Sequence, residues 1–369
     1  MRKILIQLTV LLLALLTAAG LPGSAAAVQE EVSGELVIYS SMYPFALEMM
    51  DEAMKAEFPN LKPGNGDSFF IYGGSTSLVN EIYQDMKTGR LSCDMMLVAE
   101  PALALELKEA GYLAPVQIGS AASGLRFPYD EDGYWYPVRV CNMVLAYNPE
   151  MEADWALKGV TIPRSFEDFA GDSSLKGLIA MSDPLFSGTT FAAVAALTQS
   201  DHYGRQYLKK LASNQVQISS GSTALKELQN GDLAAVMVLE ESVLKKLKDS
   251  EDAGEPLTNL KCIYPKDGVI LIPSPVMTVA EEHSKNENLE ACEAVERWFL
   301  GQTAQEIILK AYMHSVFSDI KAYPEGSVPT DQLLENHMEV KWENAYLGRE
   351  DINNAWTDVV INRKQGGSR

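Results

Sequence analysis

The chain has 369 residues, 47% of them hydrophobic, with 30 basic against 50 acidic side chains and a formal charge of −20. That length exceeds what one compact core usually organises, so two domains or two lobes are expected. So acidic a surface repels nucleic acid and anionic membranes at long range, but leaves room for a small anion held by local N–H groups.

Arg2 and Lys3 precede an apolar run from Ile4 to Leu16, and small residues follow up to Ala25-Ala26-Ala27. This is the pattern of a signal peptide over 1–27, cleaved near Ala27, and it implies export to the periplasm. The run is too short for a comfortable membrane span, and no later run approaches about 18 uninterrupted apolar residues, so no stable membrane insertion is expected after cleavage. The first cysteine is Cys93, so no lipid-anchor acceptor lies near that site. Cys93, Cys141, Cys262 and Cys292 are widely spaced without a C-x-x-C pair. They read either as one or two disulfides or as buried thiols.

Short β-prone runs alternate with helical ones along the chain, the signature of α/β layering. Glu35 to Tyr39 reads as a strand, followed by a helix with Phe45, Met49, Ala53 and Ala56 on one face. Phe69 to Tyr72 and Asp94 to Val98 read as strands, with helices over Ser77 to Lys87 and Pro101 to Ala110, the latter stopped by Gly111. The nearly unbroken run from Tyr134 to Tyr147 suits a strand crossing between lobes. A second α/β block follows, with strands at Gly177 to Met181, Val216 to Ser219 and Leu233 to Leu239. Its helices are expected over Thr189 to Leu197, Tyr203 to Ala212 and Thr223 to Asn230. Val269 to Ile272 and Pro275 to Ala280 read as two strands returning to the first block, and the remainder as mostly helical.

Hydroxyls and glycines cluster at four strand-to-helix junctions: Ser40-Ser41, Gly73-Gly74-Ser75-Thr76, Ser187-Gly188-Thr189-Thr190 and Ser219-Ser220-Gly221-Ser222-Thr223. In an open α/β sheet such junctions lie at the carboxyl ends of strands, where ligands bind. Helix N-termini there offer unpaired N–H groups, and the hydroxyls add donors that wrap an oxyanion. The competing role for each Ser or Thr is to cap its own helix. Glu100, Asp183, Glu240 and Glu241 occupy comparable junctions, where a carboxylate takes an ammonium or hydroxyl from the far end of a ligand; their alternative is a solvated loop acid. Tyr43, Trp135, Tyr136 and Arg139 are further candidates for the cleft wall, Arg139 as a bidentate partner for an anion.

The opening Leu-Val-Ile-Tyr-Ser-Ser, the Gly-Gly-Ser-Thr-Ser-Leu, the stretch from Asp94 to Pro115, Asp183 to Thr189, and Asn230 to Val236 together resemble one extracellular solute-binding family. It serves ABC importers and contains ferric-ion, 2-aminoethylphosphonate and hexose-phosphate binders. The resemblance covers most of the chain to about residue 320. It implies a two-lobed periplasmic-binding-protein fold of type II, each lobe a doubly wound sheet, joined by crossover hinge strands. On that pattern lobe 1 spans 34–136 plus 268–320 and lobe 2 spans 137–267 plus 321–362. It further implies a monomer without cofactor, a small-molecule ligand between the lobes, an ABC permease in the inner membrane as partner, and hinge closure.

Ferric-binding members of the family carry adjacent tyrosines where this chain has Glu240-Glu241-Ser242, and a His after the first strand where it has Ser40-Ser41-Met42-Tyr43. The hydroxyl junctions therefore favour an organophosphate or organophosphonate; iron(III), with Glu240 and Glu241 as ligands, is the alternative. An enzyme reading rests on Ser242-x-x-Lys245 and Lys87-Thr88-Gly89, which match two motifs of penicillin-interacting enzymes in the wrong order. His202, His283, His314 and His337 have no metal-ligand spacing.

Overall fold

A computed structural model describes residues 32–362; the expected signal peptide lies outside them. The alternation read from the sequence folds as α/β. Strands β1 (Gly34–Leu36) and β2 (Ile38–Ser40) divide the first expected strand at Val37, because β1 pairs with β3 (Leu61–Pro63) in a small separate sheet. Strand β2 lies between β4 (Phe70–Tyr72) and β5 (Met95–Leu97), parallel to both. Helices α1 (Pro44–Glu57), α2 (Ser75–Met86) and α3 (Pro101–Glu109) follow β2, β4 and β5. A short β6 (Leu113–Ala114) completes this half.

Two long strands carry the sheet from one lobe into the other. Strand β7 (Tyr136–Tyr147) is buried along all twelve residues, which is why it reads as one continuous apolar run. Strand β12 (Ile270–Val279) pairs antiparallel with it and with β5. The sequence suggests two returning strands here; the structure has one, with a register shift at Ser274/Pro275. Pro273 and Pro275 lack the N–H that a ladder needs, so a local irregularity there is the expected accommodation.

The second half is built on α4 (Glu152–Leu157), α5 (Phe166–Gly171), β8 (Ile179–Met181), α6 (Gly188–Gln199), α7 (Gln206–Ser213), β9 (Gln217–Ile218), α8 (Gly221–Asn230), β10 (Ala235–Leu239), α9 (Glu240–Asp252) and β11 (Lys261–Ile263). Strand β10 pairs antiparallel with β7 and parallel with β8, and β8 pairs parallel with β9. The chain finishes with α10 (Leu289–Phe299), α11 (Gln302–Lys310), β13 (His314–Ser315), α12 (Thr330–Glu335), α13 (Trp342–Leu347) and α14 (Arg349–Trp356).

Separate apolar cores form on the two halves. Leu36, Ile38, Met50, Phe69, Leu97 and Phe299 belong to one, and Leu145, Phe166, Ile179, Val194, Met237 and Trp356 to another. Helix α6 is buried from Gly188 through Leu197, as befits a helix apolar on every side. Helix α1 buries Ala46, Leu47, Met50 and Met54, whereas Phe45, Met49 and Ala53 are half-buried beside them and Ala56 is exposed. The apolar stripe is wide enough for either row, and the row starting at Ala46 and Leu47 takes the core. The four cysteines are free thiols. Among the described residues, no helix is long and apolar enough to cross a membrane.

Candidate functional site

The strand-to-helix junctions of the two lobes face each other. A cavity of about 600 Å³ is lined on one side by Tyr43, Pro44 and Phe45, at the start of α1, and on the other by Gly221 and Ser222 of α8 and Glu241, Ser242, Lys245 and Lys246 of α9. The Tyr43 hydroxyl lies 2.5 Å from Ser242 Oγ, a direct bond across the cleft. Its ring stacks on Phe45, and the Lys245 ammonium sits 4.9 Å from the Phe45 ring centre. Burial, with the nearby Glu241 carboxyl, pushes the Tyr43 phenol above its ordinary range.

A second cavity, about 130 Å³, opens between α2, α6 and α14, with Thr76, Asn80, Glu100, Gly188 and Arg349 on its walls. Here the lobes approach so closely that a Cβ on Gly188 would stand 2.7 Å from Ser75 Cβ and 3.0 Å from Glu100 Oε2. Arg349 reaches across to an ion pair with Glu100, and its guanidinium lies 4.9 Å from the Phe191 ring centre.

Several hydroxyls serve the fold. Ser187 caps α6 by accepting from the Thr190 N–H, and takes a further bond from Thr190 Oγ1; Thr189 Oγ1 lies 3.3 Å from it. Ser220 caps α8 through the Thr223 N–H, bonds to the Thr223 hydroxyl and lies 3.1 Å from Ser222 Oγ. Ser40 accepts from the Met42 N–H and Ser41 from the Ala99 N–H. In contrast, the capping position of α2 is Gly74, which has no side chain to cap it, so the hydroxyls of Ser75 and Thr76 are not spent on its end.

The neighbouring carboxylates Glu240 and Glu241 are both buried and have opposite surroundings. Glu240 receives bonds from Tyr264, Ser327, Asn142 and His314. Burial opposes its charge, but those donors hold its carboxyl below the usual range. Glu241 is 1% exposed and its Oε1 has no partner; burial pushes its carboxyl up to about 7, against the opposing pull of Arg139. Arg139, 2% exposed on β7, bonds through Nη1 to the Met313 sulfur at 2.7 Å, and its Nε is unpartnered.

Asp183 Oδ1 accepts from the Leu185 N–H and from Trp356 Nε1, both at 3.0 Å, which ties it to a turn and to the C-terminal helix. Trp135 and Tyr136 belong to the first lobe's cores, the Tyr136 hydroxyl donating to the Val116 carbonyl. They are packing residues rather than part of the cleft wall. No local pattern in the sequence marks Arg349, and Lys245 stands out there only in a motif of the wrong order. In the structure the Lys245 ammonium pairs with Asp249. Among the described residues, no three His, Cys, Asp or Glu side chains are placed to share a metal ion.

Residues 92–340 match the family model described as bacterial extracellular solute-binding protein. No curated protein matches the chain. Among solved structures, the periplasmic binding protein AfuA from Actinobacillus pleuropneumoniae, with fructose-6-phosphate bound, is 19% identical. The alignment covers 89% of this chain and 99% of that one, at a TM-score of 0.72. Iron-bound HitA from Pseudomonas aeruginosa is 18% identical over 88% of this chain and 99% of that one, at 0.70. The ferric binding protein from Campylobacter jejuni is 16% identical over the same shares, also at 0.70. At such identities these likenesses speak to fold, and the fold they share is the two-lobed one of periplasmic binding proteins. The chain belongs to the bacterial extracellular solute-binding proteins, the non-enzymatic, substrate-capturing components of ABC importers.

Proposed function

We propose that this protein captures an organophosphate or organophosphonate between its lobes and delivers it to an inner-membrane permease. The observation that carries the reading is the 600 Å³ cavity with walls from both lobes. Its donors are hydroxyls, the N–H groups at the start of α8 and two lysines, a set suited to a phosphoryl oxyanion. The buried Glu241 carboxyl beside them suits an ammonium or hydroxyl at the other end of the solute. Of the junction residues read from the sequence, Tyr43, Gly221, Ser222 and Glu241 carry this proposal, with Thr76, Glu100 and Gly188 around the smaller cavity. Iron(III) is the weaker alternative: Glu240 is already engaged by four donors, and of the carboxylates on the cavity wall Asp249 is paired with Lys245, which leaves Glu241 and the Tyr43 phenol.

The same proposal includes a cleaved signal peptide over 1–27, a monomeric mature chain, and lobes over 34–136 with 268–320 and over 137–267 with 321–362. Leu333 packs into the first lobe's core, so α12, although it falls within 321–362, is assigned to the first lobe instead. The decisive experiment is mass spectrometry of the small molecule released on denaturing the purified protein, with phosphorus and iron quantified together. Stoichiometric organic phosphorus is expected; stoichiometric iron without phosphorus would reject the reading.

A further inference from the structure

We infer that Arg349 is a solute-recognition residue, carried into the interlobe cleft by a C-terminal helix beyond the stretch that the family model matches, and that it binds an oxyanion of the solute, carboxylate or phosphate. The inference rests on the anion-capture reading above. The family match ends at residue 340, whereas α14 starts at Arg349. Ile352 and Trp356 anchor that helix in the second lobe's core, and Trp356 also donates to Asp183. These anchors fix the first turn of α14 against the 130 Å³ cavity, whose walls include Arg349, Thr76 from the first lobe and Gly188 from the second.

A guanidinium presents its five donors in a rigid plane. In Arg349, Nη1 is bonded to Glu100. The other edge, Nε with Nη2, is buried and has no partner. A buried donor left unsatisfied is destabilising, and the partner that satisfies this pair together is a bidentate carboxylate or phosphate. The cavity holds roughly four water volumes, on the scale of one such group and not of a whole solute. Glu100 orients the guanidinium and also sets a negative charge beside the place an anion would take.

The test is titration calorimetry of wild type, Arg349→Gln, Arg349→Lys, Glu100→Gln and Ser222→Ala, with inorganic phosphate and with acetate, melting temperatures being recorded for each. Phosphate or acetate should bind wild type, and whichever binds more tightly identifies the oxyanion. Arg349→Gln should weaken that binding at least about tenfold, the loss of one bidentate contact. Arg349→Lys should recover part of the loss, and Glu100→Gln should tighten binding by removing a like charge. If Arg349 merely ties the lobes together, Glu100→Gln and Arg349→Gln will weaken binding alike, and the inference falls. Should Ser222→Ala weaken binding while Arg349→Gln does not, the anion-capture reading stands and this inference fails. The reverse keeps Arg349 and rejects the Ser222 cavity, and an absence of binding to wild type rejects both.

Discussion

At the residue scale the instructive pair is Glu240 and Glu241, adjacent in sequence and alike in burial. Four donors keep Glu240 ionised and make it a structural charge, whereas Glu241 has a free oxygen and a carboxyl raised to about 7 by burial. If Glu241 accepts from the solute's ammonium or hydroxyl, the ionised form is the one that binds. Affinity should then rise with pH through about 7 and flatten above it, and Glu241→Gln should abolish that dependence; a pH series of titrations measures this. Glu296 makes a separate prediction about stability. It is fully buried between α10 and β12, bonded through one oxygen to Thr278 with the other unpartnered, and its carboxyl is pushed up to about 8 by burial. Because the folded pKa is raised above the ordinary glutamate value of 4.5, the native state retains a proton that the unfolded chain has lost, and stability falls as pH rises from about 4.5 to about 8. Glu296→Gln should therefore stabilise the fold more at pH 8 than at pH 5, by on the order of 1 kcal/mol or more, as read from denaturant unfolding at the two pH values. Equal effects at both pH values would reject that account.

At the scale of elements, the hydroxyl junctions divide by what they have already bonded. Ser187 and Ser220 cap their own helices, so Ser220→Ala should cost about 1 kcal/mol in denaturant unfolding. Ser222→Ala, on the cavity wall, should weaken binding with little change in stability. Gly188 is a close-approach glycine at the start of α6. A methyl group there forces α6 away from Ser75 and Glu100 at about 1–3 kcal/mol. Binding to Gly188→Ala should weaken roughly 5- to 150-fold, with the melting temperature of the unliganded protein nearly unchanged. The positions of these junctions were legible in the sequence, because strand and helix periodicities meet there and Ser, Thr and Gly mark the meeting. Which hydroxyls are spent on capping was not legible, since that depends on rotamers and not on spacing. Nor was Arg349: it arrives from α14, far along the chain, and nothing in its local pattern separates it from a surface arginine. The same limit applies to Glu240, whose donors His314 and Ser327 lie more than seventy residues away.

For the whole molecule, the architecture followed from alternation and length, and β7 was legible as one long β-prone run between two α/β blocks. The irregularity at Ser274/Pro275 in β12 sits opposite Pro137 and Arg139 of β7, where the strands pass between the two cores. A shifted register weakens the ladder locally, so bending is expected to concentrate there. Tyr43 with Ser242, Glu100 with Arg349 and Tyr346 with Glu109 bond across the cleft, and these contacts exist only while the lobes are together. A solute touching both walls adds to that side of the equilibrium, and its effect is limited by the difference in its affinity for the two forms. At a hundredfold excess over Kd it should stabilise the protein by about 2.7 kcal/mol and raise the melting temperature by several degrees. Small-angle scattering of the same samples should show a smaller radius of gyration with solute than without. A Tyr43→Phe, Glu100→Gln, Tyr346→Phe triple variant should start from a more expanded unliganded state, because three polar contacts across the cleft are removed. An unchanged radius in that variant would mean that closure is held by the apolar packing of Ala99 and Ala102 against the second lobe's core, and not by the polar contacts across the cavities.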